Sequence, residues 1–216
     1  SWNKAMKYEE TGFQGVNQQF CVFAMKPWLR KVVDHFPGSD VATHILTYGY
    51  IDHEAGVSLE VLACIQEKDP KIQLFDGNEE ISVKIRIGQV MDDEFYVLDE
   101  DDDLNVRFQN KIDALKQYEV KDTLKNARTF PFIRPYQNIE YPDDIQILLY
   151  RQNLEPEAVW VRMEDVADDH IEAKLLNDPY DPNFGVHAGD WLKVYVKQLQ
   201  DQPVYCYSDV SEKSLS

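Results

Sequence analysis

No apolar run in this chain approaches the ~20 residues a helix needs to cross a bilayer, and no charged leader followed by an apolar stretch opens it. Membrane insertion is therefore not expected. Cysteine is scarce. Cys21, Cys64 and Cys206 are odd in number and form no Cys-x-x-Cys pair, so neither a disulfide framework nor a structural zinc site is expected, and a reducing, cytoplasmic compartment fits. Glycine is also sparse, at nine residues. There is no Gly-x-Gly-x-x-Gly, no phosphate-binding loop and no Gly-x-Ser-x-Gly, which removes the usual support for nucleotide and serine-hydrolase chemistry. Positive charge is the other shortage: 22 Lys and Arg stand against 39 Asp and Glu, a net charge of -17. Such a field repels nucleic-acid phosphates and anionic lipid, and it speeds capture of a basic partner.

What is present is globular. Hydrophobic residues make up 44% of the 216 positions and aromatics 12%, enough to build one large core or two small ones. Gln18 to Met25, Ala42 to Tyr50 and Val57 to Gln66 read as strands, the last two as a hairpin across Asp52 to Gly56. Pro27 opens a short helix, as a first-turn proline can, with an apolar stripe from Trp28 to Phe36. Residues 1–15 read as an irregular lead-in. Asp76-Gly77 signals a second hairpin between 72–75 and 80–87, where Ile81, Val83, Ile85 and Ile87 alternate with polar residues. A short strand over 95–98 is followed by an acidic run and by one helix over about 105–127, striped by Phe108, Ile112, Leu115 and Leu124. Residues 129–142 are rich in proline and aromatics and read as a linker. Strands follow at 145–150, 158–163, 171–175 and 191–196, with a last edge strand at 204–207.

The expected class is thus α+β, with antiparallel sheets and two main helices. An N-terminal α+β domain over 16–128 is joined by the 129–142 segment to a smaller, mainly β domain over 143–207. The Ser at position 1 leaves open that the sequence is a piece of a longer protein.

Glu157, Trp160-Val161, Ile171, Leu175, Asn177, Pro179, Gly189-Asp190 and Val194 form a pattern that resembles the YegJ-like bacterial domains of unknown function. The resemblance covers roughly the last third of the chain. It departs at Ala173, where the family has Gly, and at Gln202, where it has Trp. It implies a small, mostly β bacterial module, related to domains among immunity proteins that neutralise toxins, and it carries no established chemistry.

Two stretches hold candidate partner-binding residues. Asp99, Glu100, Asp101, Asp102 and Asp103 form the acidic run. Read as a calcium loop it fails, since the sixth residue is Leu104 and the twelfth Asn110. A solvated helix lead-in or a surface for a basic protein remains. The loop from Asp178 to Asp190 offers Asp181, Asn183, His187 and Asp190, which serve equally as turn residues or as a binding surface. Cys21 with His44 lacks the setting of a nucleophile pair, and His35, His44 and His53 have no ligand spacing. Trp160 and Trp191 read as core residues. No catalytic residue, metal or cofactor is assigned. The expected function is a non-enzymatic acidic bacterial interaction protein, such as an immunity protein that binds a basic toxin. The alternative is an enzyme or small-ligand binder using the Asp178 to Asp190 loop.

Overall fold

The structure, a computed structural model, describes residues 2, 4–99 and 102–211. The chain divides into two compact units, Ser1–Glu119 and Val120–Ser216. The fold is α+β with antiparallel sheets, as the sequence pattern implies.

The first unit runs through Met6–Lys7 (β1), Tyr8–Thr11 (α1), Phe20–Ala24 (β2), Pro27–Val32 (α2), His44–Asp52 (β3), Gly56–Lys68 (β4), Lys71–Leu74 (β5), Lys84–Arg86 (β6), Glu94–Leu98 (β7), Asp102–Arg107 (α3) and Gln109–Ala114 (α4). Its sheet has the order β1-β7-β2-β3-β4-β5, and β6 pairs with β4 further along the strand from β5. The sheet is buried on both faces, which explains the unbroken apolar run of β2. Cys21 and Phe23 join a core with Leu29 and Val33 around α2, whereas Phe20 and Val22 point the other way, into a core with Phe108 and Ile112. The β3–β4 hairpin turns as expected. Asp52 Oδ1 accepts from the amides of Glu54 (2.9 Å) and Ala55 (3.0 Å), and Gly56 takes a positive φ.

Three local expectations are corrected here. The 1–15 lead-in is not irregular: β1 and α1 lie within it, and Tyr8 is completely buried. Its anchors are tertiary contacts, which leave no periodic trace. Asp76-Gly77 does not form a hairpin. Both flanking segments pair with β4 instead of with each other, and Gly77 lacks the positive φ such a turn needs. Glycine is required there for close approach, because a Cβ would lie 2.6 Å from the Leu62 carbonyl oxygen. The single helix over 105–127 is broken. Phe108 leaves helical geometry between α3 and α4, and Glu119 and Lys121 are extended. One apolar stripe serves two cores: Phe108 and Ile112 bury in the first unit, Leu124 in the second.

The second unit comprises Asp122–Ala127 (α5), Asp144–Tyr150 (β8), Glu157–Val166 (β9), Ile171–Leu175 (β10), Trp191–Lys197 (β11) and Tyr205–Asp209 (β12). The five strands follow one another in antiparallel steps, and the parallel pairing of β12 with β8 closes a barrel. β12 is therefore no edge strand: closure leaves no edge. Inward residues alternate along each strand (Ile145, Ile147 and Leu149; Val159, Val161 and Met163; Leu192 and Val194; Cys206). Leu124, Ala127 and Ile133 complete this core. The 129–142 segment thus belongs to the second unit, and the boundary between the units falls ahead of it, at Glu119. Trp160 and Trp191 are not core residues. Both have outward parity on their strands, and Trp191 lies 49% exposed with the Lys174 ammonium over its ring.

Candidate functional site

The loop from Leu176 to Asp190 is held by its own acidic side chains. Asp181 accepts from the Asn183 amide (2.9 Å), Asp190 from that of His187 (2.8 Å) and Asp178 from that of Ala188 (2.8 Å). From β9, Glu157 receives the amides of Tyr180 (2.6 Å) and Asp181 (3.0 Å), and Asn177 accepts from the Trp160 amide (2.9 Å). Phe184 and Val186 are driven into the barrel core, and Arg151 donates to the Phe184 carbonyl (2.8 Å). Each of these carboxylates has backbone donors to satisfy, as Asp does in ordinary turns. The Glu157, Asn177 and Asp190 positions of the family-like pattern thus latch this loop to the barrel. His187 remains exposed, 3.9 Å from Asp178. The structure brings Asp181, Asn183, His187 and Asp190 into one loop but aims their side chains at the backbone or solvent, without convergence on one point. Among the described residues, no group of three or more His, Cys, Asp or Glu side chains is arranged to hold a metal ion.

In the acidic run, Asp99 is exposed just past β7, and Asp102 and Asp103 occupy the first turn of α3, where the helix dipole favours negative charge. Glu100 and Asp101 lie outside the described residues. Cys21 is wholly buried, and burial pushes its thiol up to about 12. No thiolate is available there at neutral pH.

Two arrangements escape the sequence reading. The first is a buried ion cluster in the first unit. Glu60, 3% exposed, receives the Lys84 ammonium at 2.6 Å and the Ser82 hydroxyl at 3.0 Å to both oxygens, with Lys111 Nζ at 4.0 Å. The Lys84 ammonium also lies 5.1 Å from the ring centroids of both Tyr50 and Tyr118. Burial works against the charge on Lys84, but the hydrogen bond and charge of Glu60 outweigh it and hold its pKa above the ordinary value. Burial lowers that of Lys111. Glu60 lies inside an apolar strand, and only its cross-strand register with Lys84 reveals the pair.

The second is an outward row of tyrosines on the barrel. Because Cys206 points inward, Tyr205 and Tyr207 point out. Tyr207 contacts Tyr150 and Tyr195, each at 5.9 Å between centroids, and the Tyr150 and Tyr205 hydroxyls are 3.3 Å apart. Beside them opens a groove of about 400 Å3 lined by Tyr136, Leu148, Tyr150, Leu199, Pro203 and Tyr205. The Tyr-Cys-Tyr alternation is the signal in the sequence. It reads as an edge strand until barrel closure places Tyr150 beside it.

Comparison of the chain with protein-family models, with curated proteins and with solved structures returned no match.

Proposed function

We propose that this chain is a non-enzymatic, cytoplasmic bacterial interaction protein that captures a basic protein partner, as an immunity protein captures its toxin. The observation that carries this reading is how the charges are spent. The excess of carboxylates extends over both units: 22 against 12 cations in Ser1–Glu119, and 17 against 10 in Val120–Ser216. The cations are largely tied down inside each unit. Arg128 holds Asp143 through two hydrogen bonds (2.7 and 2.9 Å), and Arg162 holds Asp144 likewise (2.7 and 3.0 Å). Lys84 is committed to Glu60, Lys26 to Asp93 and Lys121 to Asp165. Arg30 and Arg151 are committed to backbone carbonyls.

Each internal pair removes one cation and one carboxylate from the surface, so the ratio of exposed carboxylates to exposed cations rises. A surface of this kind steers a basic protein into encounter and repels nucleic acid and anionic lipid. The YegJ-like pattern of the last third supports a bacterial setting for the same reading. No described helix is long and apolar enough to cross a membrane.

The test is native mass spectrometry of the protein purified at low salt from its source lysate, followed by a sodium chloride titration of whatever complex is found. A stoichiometric complex with a basic protein is expected, weakening by about tenfold or more as added salt shortens the screening length. Recovery of the chain alone, or of a complex indifferent to salt, refutes the reading.

A further inference from the structure

We infer that the groove beside the outward tyrosine row of the barrel is a docking site for a proline-rich, cation-flanked segment of a partner protein. Several features of the groove lead to this chemistry. Its walls are ring faces and aliphatic side chains: Leu148 and Tyr150 from β8, Leu199, Pro203 and Tyr205 from the approach to β12, and Tyr136. Leu199 is 42% exposed, so apolar surface there faces water. The polar groups at the groove are biased towards donors. The Tyr150 and Tyr205 hydroxyls share one hydrogen bond, at 3.3 Å, which leaves one O–H of the pair to donate outward. Gln146 and Gln202 add amide N–H groups at the margin.

An ordinary peptide would bring backbone N–H donors that such a wall poorly satisfies. A prolyl residue brings none, and its polyproline II backbone turns carbonyl acceptors and apolar rings outward with little conformational entropy left to lose. The wall is also set in advance. Tyr136 donates its hydroxyl to the Val204 carbonyl at 2.8 Å, which fixes the Pro203–Tyr205 segment and lowers the ordering cost of binding. Charge selects the flanks of the ligand. Asp201 adjoins Gln202 at one margin, and Asp209 continues the outward row of Tyr205 and Tyr207; both are exposed, on a chain of net charge -17. Lys197, over the Tyr207 ring at 5.7 Å, marks the far end of the row, where a cationic flank would not lie.

The preference for cationic flanks rests on the acidic-surface reading above, whereas the preference for proline stands on the groove alone. The experiment separates the two. The 15N-labelled full chain is titrated with short synthetic peptides: a proline-rich one with arginine at both ends, the same one with serine at both ends, and one with arginine ends and alanine for every proline. Saturable shifts confined to amides near 146–150 and 199–206 are expected with the first peptide, with weaker binding by the second and none at the groove by the third. Tyr205→Ala is expected to weaken the first by about tenfold, the loss typical of a truncated aromatic anchor. Should Tyr205→Ala fail to fold, Leu199→Ser, on an exposed loop, reads the same wall.

No saturable shift, shifts mapping elsewhere, or equal binding by the alanine peptide overturns the groove. In the last case the acidic-surface reading survives. Equal binding by the serine-ended peptide strikes out the cationic flanks and leaves the prolyl site. Concentration-dependent self-association abolished by Tyr205→Ala assigns the groove to a second copy of the chain and likewise overturns the proposal.

Discussion

Glu60 carries more charge-bearing neighbours than any other buried acid described above. Removing it leaves Lys84 and Lys111 facing one another in a site already costly for an ammonium, as the lowered pKa of Lys111 attests. Breaking a buried pair by deleting one partner costs about 3–5 kcal/mol, because the remaining charge stays uncompensated. Glu60→Ala is therefore expected to lower the urea midpoint by that equivalent, and Glu60→Ala combined with Lys84→Met by less than the two single changes added together. Strict additivity in the double-mutant cycle would show that the pair is not coupled. A second residue-scale expectation concerns pH. His170 lies between Glu172 (2.6 Å) and Asp169 (2.7 Å), and these hydrogen bonds, that to Glu172 foremost, raise its pKa. A raised folded-state value means the imidazolium stabilises the fold fully below about pH 6.5, the ordinary value, and that this contribution is lost as pH rises through the higher folded-state value. The gap in urea midpoint between the wild type and His170→Asn is expected to be widest near pH 6 and to close towards pH 9. A gap that widens with pH would reverse the sign assigned to this clasp.

At the scale of elements, β3 is fastened to the segment before β2 by a contact only glycine permits. Gly49 donates to the Gln19 carbonyl (3.0 Å) and accepts from the Gln18 amide (2.9 Å), and a Cβ on it would lie 1.9 Å from the Val16 carbonyl oxygen. Backbone cannot yield as a side-chain tip can, so Gly49→Ala is expected to cost about 1–3 kcal/mol, as overpacking does. Thermal unfolding should then start several degrees lower; an unchanged midpoint would mean that β3 and the Val16 loop separate freely. The same elements show what the sequence discloses. β2, β3 and β4 are legible because strand composition and the Asp52–Gly56 turn agree with the sheet. Gly77 misleads because a glycine needed for close approach looks the same in sequence as one needed for positive φ. The 105–127 stripe misleads because Phe108, Ile112 and Leu124 keep helical spacing while serving two separate cores. The loop acids Asp178, Asp181 and Asp190 were visible as candidates, but only the structure shows them bonded to nearby amides. The tyrosine groove was hidden, since Tyr150 and Tyr205 stand 55 residues apart and meet only through barrel closure.

At the scale of the molecule, the second unit contains everything its fold requires. The barrel closes through β8 and β12 within its own span, and α5 packs Leu124 and Ala127 into the same core as Ile133. Lys121 and Thr123, at the start of α5, bind Asp165 of β9 at 3.0 and 2.8 Å, fastening the helix to the barrel wall. These bonds hold the Asp165 carboxyl down to about 2, so the latch is intact at neutral pH and loosens only in strong acid, as pH falls through that value. Nothing in this core draws on residues before Val120, and the unit is within the size range of domains that fold alone. A fragment spanning 120–216 is accordingly expected to fold without the first unit. Its amide spectrum should be dispersed and should overlay the barrel resonances of the full chain, including Cys206 and Leu192 from the interior. A collapsed spectrum, or one that recovers dispersion only when residues 1–119 are added in trans, would mean that the barrel depends on the first unit for its stability. The break at 119–121 would then be a bend within one folding unit, where the two separate cores now mark it as the joint between two.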